Sequence, residues 1–75
     1  MIVAITKAEL SDRNKKLQKE KGYPNIPKGA EVYIGGYIAK YTPVFWKNRY
    51  YTVRACDLEV NGKTLVQGYV WDNYK

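Results

Sequence analysis

Tyr37-Ile38-Ala39-Lys40-Tyr41-Thr42-Pro43-Val44-Phe45-Trp46-Lys47-Asn48-Arg49-Tyr50-Tyr51-Thr52-Val53-Arg54 is the stretch whose reading decides the fold. These 18 residues hold six aromatic rings and four cations, with no carboxylate among them. Such a pattern can build the core of a small β-domain with a solvated outer face. It can equally make a surface on which rings stack against bases and cations meet phosphates. Period-2 alternation separates the two. From Arg49 to Cys56, Tyr51, Val53 and Ala55 share one face, while Tyr50, Thr52 and Arg54 share the other. Arg49 points inward by parity, yet its place beside a turn keeps it near water. Lys47-Asn48 is a two-residue hairpin turn between Val44-Phe45-Trp46 and Arg49-Tyr50-Tyr51, although it lacks glycine. Pro43 interrupts regular pairing.

Outward from this stretch the chain continues as β structure. Glu31–Ile34 alternates, with Val32 and Ile34 on one face. Gly35-Gly36 reads as a bulge or tight bend. Asn61-Gly62 is the strongest turn signal and predicts a type I′ hairpin joining 57–60 to a last strand over 63–71. In that strand Leu65, Tyr69 and Trp71 share one face and Val66, Gly68 and Val70 the other, so part of it should be covered on both sides.

The N-terminal third differs. The apolar run over residues 1–5 suits a buried strand. Thr6 and Glu9 fit a capping box opening a helix over 7–21, and Gly22 is placed for a left-handed C-terminal cap. Leu10 and Leu17 would lie on its thin apolar stripe. Its polar face carries Lys15, Lys16, Lys19 and Lys21 toward the C-terminal end, where cations complement the helix dipole. Pro24 and Pro27 make residues 23–29 an extended connector. The expected organisation is one domain over 1–75: strand plus helix in 1–22, the connector, and a β-barrel in 30–75.

At 75 residues the chain buries only roughly 60% of the surface its unfolded form exposes, so each ring counts toward the core. Aromatics at 15% are ample for that purpose. Phe45, Tyr51, Tyr69 and one tryptophan are expected inside, leaving Tyr33, Tyr37, Tyr41, Tyr50 and the other tryptophan outside. Thirteen Lys and Arg oppose seven Asp and Glu, for a net charge of +6. That balance favours polyanions or acidic protein surfaces. Residues 1–30 carry seven cations and three anions, and residues 31–75 six and four. Ten of the cations are lysine, which attracts diffusely rather than by bidentate fit.

Catalysis has little to work with. There is no histidine, and Ser11 is the lone serine. Cys56, the single cysteine, is expected to be a small buried thiol. Asp57 and Glu59 read as solvated edge charges, with Arg49 or Arg54 as their expected partners across the sheet, rather than as a cation site. One cysteine without histidine excludes the usual zinc sets, and Gly35-Gly36 lacks the context of a phosphate loop. No enzyme activity, metal or cofactor is expected. A lone cysteine, a short N-terminal apolar run and the lack of a membrane-length segment make the reducing cytoplasm the expected compartment, with no membrane partner.

From Ile26 onward the chain resembles a bacterial SH3 domain. The similar pieces are Ile26-Pro27-Lys28-Gly29-Ala30-Glu31-Val32-Tyr33-Ile34, then Tyr50-Tyr51-Thr52-Val53-Arg54, then Asn61-Gly62-Lys63-Thr64 with Gly68-Tyr69-Val70-Trp71-Asp72-Asn73-Tyr74. Residues 35–48 are longer than the family's plain hairpin, Leu65-Val66-Gln67 is inserted, and the helix lies outside the pattern. The resemblance implies a mainly β (α+β) fold, a small bent SH3-like barrel with one N-terminal helix. Family members bind cell-wall peptides or act as interaction modules, and no set of binding residues transfers from them. In style the short basic chain is similar to phage or plasmid accessory or inhibitor proteins.

The expected function is therefore non-catalytic binding of an acidic protein surface or peptide. The binding residues would be Tyr37, Lys40, Tyr41, Trp46, Lys47, Tyr50 and Arg54. Nucleic acid, single-stranded or bound without specificity, is the competing partner. An uncovered edge strand would make a homodimer as credible as a monomer.

Overall fold

Alternating inward side chains roll six of the eight strands into one curled sheet. The computed structural model describes residues 2–74. Strands β1 (Ile2–Thr6), β2 (Glu31–Ile34), β4 (Tyr41–Trp46), β5 (Arg49–Arg54), β6 (Leu58–Val60) and β7 (Lys63–Thr64) form an antiparallel sheet in the order β5-β4-β2-β1-β6-β7. It curls into a half-barrel. Strands β3 (Tyr37–Ile38) and β8 (Gly68–Tyr69) make a separate two-stranded ribbon. The molecule is mainly β, with a radius of gyration of 11.7 Å, close to the roughly 11 Å of a compact chain this long. The apolar run at the N-terminus becomes β1; Met1 lies outside the described residues.

The core follows the alternation closely in β2, β4, β5 and β6. Val32, Ile34, Val44, Tyr51, Val53, Leu58 and Val60 point inward and are buried. Register matches inward residues across strands, as in Val44 opposite Tyr51 and Ala4 opposite Val32. Segments outside the sheet close the open side of the half-barrel with Leu10, Ile26, Ile38, Leu65, Val70 and Tyr74. The connector is thus also a core element. Ile26 is fully buried and exchanges backbone hydrogen bonds with Leu10, both at 2.8 Å.

Both expected hairpin turns form. Asn61 and Gly62 have φ of 52° and 78°, the left-handed pair that a type I′ turn requires. Lys47 and Asn48 do the same at 48° and 61° without glycine, so this tip carries local backbone strain. Pro43 does not interrupt the β4–β5 ladder, whose register runs unbroken through Pro43 opposite Thr52; the registered contact of β2 with β4 is Tyr33 opposite Phe45.

Several expectations need correction. The helix α1 spans Lys15–Lys21, not 7–21. Thr6 does not cap it, because the Thr6 hydroxyl donates to the Pro27 carbonyl and accepts from the Ala30 amide. Asn14 is the cap instead, its side chain accepting from Leu17 N–H at 3.1 Å. Gly22 takes the expected left-handed C-terminal position at φ 70°. Leu17 is exposed, and Gln18 is the buried residue of the helix. Gln18 accepts from Asp12 N–H at 2.6 Å and donates to Tyr23 O and Asn25 Oδ1, so a polar hub rather than an apolar stripe docks α1.

The single strand expected over 63–71 is broken in two. Leu65 drops into the core, the chain turns, and β8 pairs with β3 before a helical turn, α2 (Val70–Asn73). Tyr74 covers the outer edge of this segment: its buried hydroxyl accepts from Val66 N–H at 2.6 Å and donates to Thr64 O at 3.2 Å, while Leu65 N–H still bonds to Leu58 O of β6. Strand β5 ends at Arg54, followed by a 3-10 turn over Ala55–Asp57. Cys56 is exposed on that turn rather than buried. Asp57 and Glu59 consequently do not share a strand face.

Candidate functional site

The stretch 37–54 does not form one surface. Strand alternation and the separate ribbon divide its rings and cations among three places, while Lys40 and Arg54 also border a hollow.

The first place is the outer face of the sheet. Because Tyr51 and Val44 face inward, Tyr50 and its register partner Phe45 must face outward. Phe45 was expected in the core; it is only half buried, and its ring lies 4.8 Å from that of Tyr50. The row extends across the sheet through Tyr33, opposite Phe45, and Val3, opposite Tyr33. Exposure along it is 44% at Val3, 47% at Tyr33 and 67% at Tyr50, more apolar surface than scattered single residues would give. Tyr41 and Arg54 are register partners on the same face. The Arg13 guanidinium lies 4.0 Å over the Tyr41 ring, and Arg54 pairs with Asp57 at 3.5 Å.

The second place is the tip of the β4–β5 hairpin on the inner side. Trp46 is half buried and packs toward Tyr51, ring centroids 6.1 Å apart, and Tyr51 lies 6.0 Å from Tyr23. Three cations sit on this trio. Lys47 Nζ is 4.9 Å from the Trp46 ring, and Lys21 and Arg49 approach Tyr23 at 5.6 and 5.1 Å. Among the described residues the one ion pair is Arg54–Asp57, so none of their carboxylates pairs with these three. The Tyr51 hydroxyl is buried and donates to Pro24 O at 2.6 Å. Burial pushes its pKa up, and the nearby Arg49 charge opposes that shift.

The third place is the ribbon. Tyr37 meets its register partner Tyr69 edge to face at 4.9 Å, and Tyr69 stacks at a tilt on Trp71 at 4.8 Å. All three are about half exposed, so Tyr69 is not the core ring expected of it, and Trp71 is the exposed tryptophan. Trp71 rests against Gly36: a Cβ there would come within 2.6 Å of the indole. The bend at Gly35-Gly36 therefore makes room for a ring.

Of the seven expected binding residues, Tyr41, Tyr50 and Arg54 share the outer face, Trp46 and Lys47 share the hairpin tip, and Tyr37 stands on the ribbon. Lys40 borders an open, mainly apolar hollow of about 370 Å³ with Arg54, Cys56, Leu65 and Val66. Sequence reasoning missed Phe45, Val3, Tyr23, Lys21 and Arg13 as neighbours of these groups. Alternation within 31–34 already places Tyr33 outward. Nothing local to Tyr23 or Arg13 announces their ring contacts, which come from chain segments folded against β5.

A cleft of about 370 Å³ is lined by residues of the 9–15 segment and of β5, which touch at Thr52. Its charges of both signs are Glu9, Asp12, Arg13, Lys15, Arg54 and Asp57, and Asp12 is already engaged with backbone N–H groups. Among the described residues no three His, Cys, Asp or Glu side chains gather as a metal site would need, and no helix is long and apolar enough to cross a membrane. No protein-family model matches the chain, and no curated protein and no solved structure matches it either.

Proposed function

We propose that this protein is a small non-catalytic interaction module that binds an acidic protein surface or peptide on the outer face of its sheet. One observation carries the reading: exposed rings and ring-bound cations are segregated. The four cation–ring contacts among the described residues fall on Tyr23, Tyr41 and Trp46, all half buried. The exposed rings Tyr37, Tyr50 and Trp71 lean on other rings instead. Nucleic-acid stacking platforms interleave open rings with cations that follow the phosphates. An apolar ring centre with a cationic rim is the anatomy of a protein interface, where Tyr, Trp and Arg supply the hot spots.

In this reading Tyr33, Phe45 and Tyr50 form the apolar centre, and Tyr41, Arg54 and Arg13 the basic flank that selects acidic partners. Trp46 and Lys47 extend the positive field at the hairpin tip, and Tyr37 and Lys40 lie outside the binding face. The half-barrel is read as an SH3-like barrel on the strength of residues 26–75. The exposed free thiol of Cys56 suits a reducing compartment, the cytoplasm.

Titration with a labelled peptide alternating Asp/Glu with Phe/Leu, beside single- and double-stranded DNA and RNA, tests this at about 50 and 200 mM salt. The expected result is peptide binding that Tyr50→Ala weakens by about tenfold or more, a hot-spot loss. Steep, salt-dependent binding of nucleic acid with no peptide binding would overturn it and favour the cationic tip as a phosphate site. Peptide binding indifferent to Tyr50→Ala and Phe45→Ala would move the site off this face.

A further inference from the structure

Strand β5 ends the sheet, and a terminal strand presents unpaired backbone groups that invite another strand. A two-residue turn makes Trp46 and Arg49 a hydrogen-bonded pair, so the odd-numbered residues of β5 bond to β4. Tyr50, Thr52 and Arg54 therefore turn their N–H and C=O groups to the free edge. At the middle of that edge the groups are taken. Thr52 N–H donates to the Asp12 carboxylate at 2.6 Å, and Thr52 C=O accepts from Arg13 N–H at 2.7 Å. One carboxylate and one amide thus stand where a neighbouring strand's carbonyl and amide would stand.

We infer that the outer edge of β5 is a self-complementary pairing edge for a second copy of this chain, held shut by a strap of residues 11–14. The occupant follows from the strand's own sequence. Antiparallel pairing through the free edge must set even residues opposite even residues. Centred on Thr52, it places Thr52 opposite Thr52, Tyr50 opposite Arg54 of the second copy, and Tyr51 opposite Val53. Those are a hydroxyl pair, a cation–ring pair and an apolar pair, each a favourable cross-strand combination. The symmetry is that of an isologous dimer. Centring on Tyr51 instead would bring the Arg49 charge against the buried side of Val53. The strap is the guard: its backbone-edge bonds to β5 fall on Thr52, Arg13 also lies over Tyr41, Asp12 N–H is held by Gln18, and the flanking Tyr50 and Arg54 are exposed. This inference stands apart from the proposed partner face, because it uses backbone groups rather than the outer rings.

Asp12→Ala removes the bond from Thr52 N–H together with the one from Asn14 N–H inside the strap, and Arg13→Pro removes the bond to Thr52 C=O. Both variants should stay folded by circular dichroism, and their sedimentation mass should rise toward twice the monomer's between micromolar and near-millimolar concentration. Wild type should remain monomeric. Thr52→Pro added to either variant should restore the monomer, because it deletes the central N–H. Two chains of net charge +6 repel, so added salt should strengthen this dimer, opposite to its effect on an acidic partner. Folded variants that stay monomeric throughout would overturn the inference. So would a dimer that survives Thr52→Pro, or failure of both single variants to fold, since the strap would then belong to the cooperative core and could not be released.

Discussion

Tyr50 and Tyr51 are neighbours in one strand, yet they belong to opposite regions of the molecule. Tyr50 is 67% exposed in the outer ring row with Phe45 and Tyr33; Tyr51 is 1% exposed in the inner trio with Trp46 and Tyr23. The rings are chemically identical, and a single step along the strand assigns one to a surface and the other to the core. The cations follow a different logic. They gather over the half-buried rings, where their stems can pack and their charges stay wet, and none of the described cation–ring contacts falls on Tyr33, Phe45 or Tyr50. Aromatic and basic residues interleaved in sequence thus divide into half-buried rings that carry cations and exposed rings that lean on other rings.

The sharpest way to break that contrast is paired truncation. Tyr51→Ala should destabilise the fold by about 3–5 kcal/mol in chemical denaturation, because a buried ring leaves a cavity and an unmet Pro24 carbonyl. Tyr50→Ala should change stability by no more than about 0.5 kcal/mol while weakening peptide binding. Comparable stability losses would mean that the outer row is part of the core. A smaller effect belongs to the ribbon: Gly36→Ala should cost roughly 1 kcal/mol by pushing the half-exposed Trp71 outward, read as a shift in tryptophan fluorescence.

Tyr51→Phe sharpens the comparison within the inner trio. It keeps the ring and loses the hydrogen bond to Pro24, for about 1 kcal/mol. It should also change the alkaline limb. Burial raises the Tyr51 pKa in the folded state, so the unfolded chain loses that proton first. The resulting stability is fully present below the unfolded value of about 10 and declines as pH rises through the folded one. The Phe variant should lack that part of the decline. The smallest expected effect is at the hairpin tip. Asn48→Gly relieves a left-handed residue and should add roughly 0.5 kcal/mol, leaving peptide binding on the outer row unchanged.

Much of the architecture was legible because it rests on short-range rules. The Asn61-Gly62 and Lys47-Asn48 turns, the Gly22 cap and the parity of β2 and β5 all formed as read. Phe45 was misassigned because a ring looks like core material by type, whereas its place opposite Tyr50 is a matter of register. The helix was overextended for a similar reason. Thr6 and Glu9 satisfy a local capping pattern, but Thr6 found better partners 21 and 24 residues away. Tyr69 and Trp71 fit the alternation of a continued strand, but Gly68 and Tyr69 pair with β3 and Trp71 starts a helical turn, a long-range pairing that no local pattern specifies. The candidate site was half readable: Tyr41, Tyr50 and Arg54 came from alternation, while Arg13 and Tyr23 needed the folded chain.

By itself the sequence determined a small, basic, mainly β chain with its turns in place, because turn chemistry and period-2 burial act over a few residues. Only the tertiary structure decided that the stretch from Tyr37 to Arg54 splits three ways, that Gln18 rather than a leucine docks the helix, and that Asp12 closes the edge of β5. Those outcomes depend on groups distant in sequence competing for the same backbone N–H, carbonyl or ring face. Such competition is settled by geometry that no local window contains.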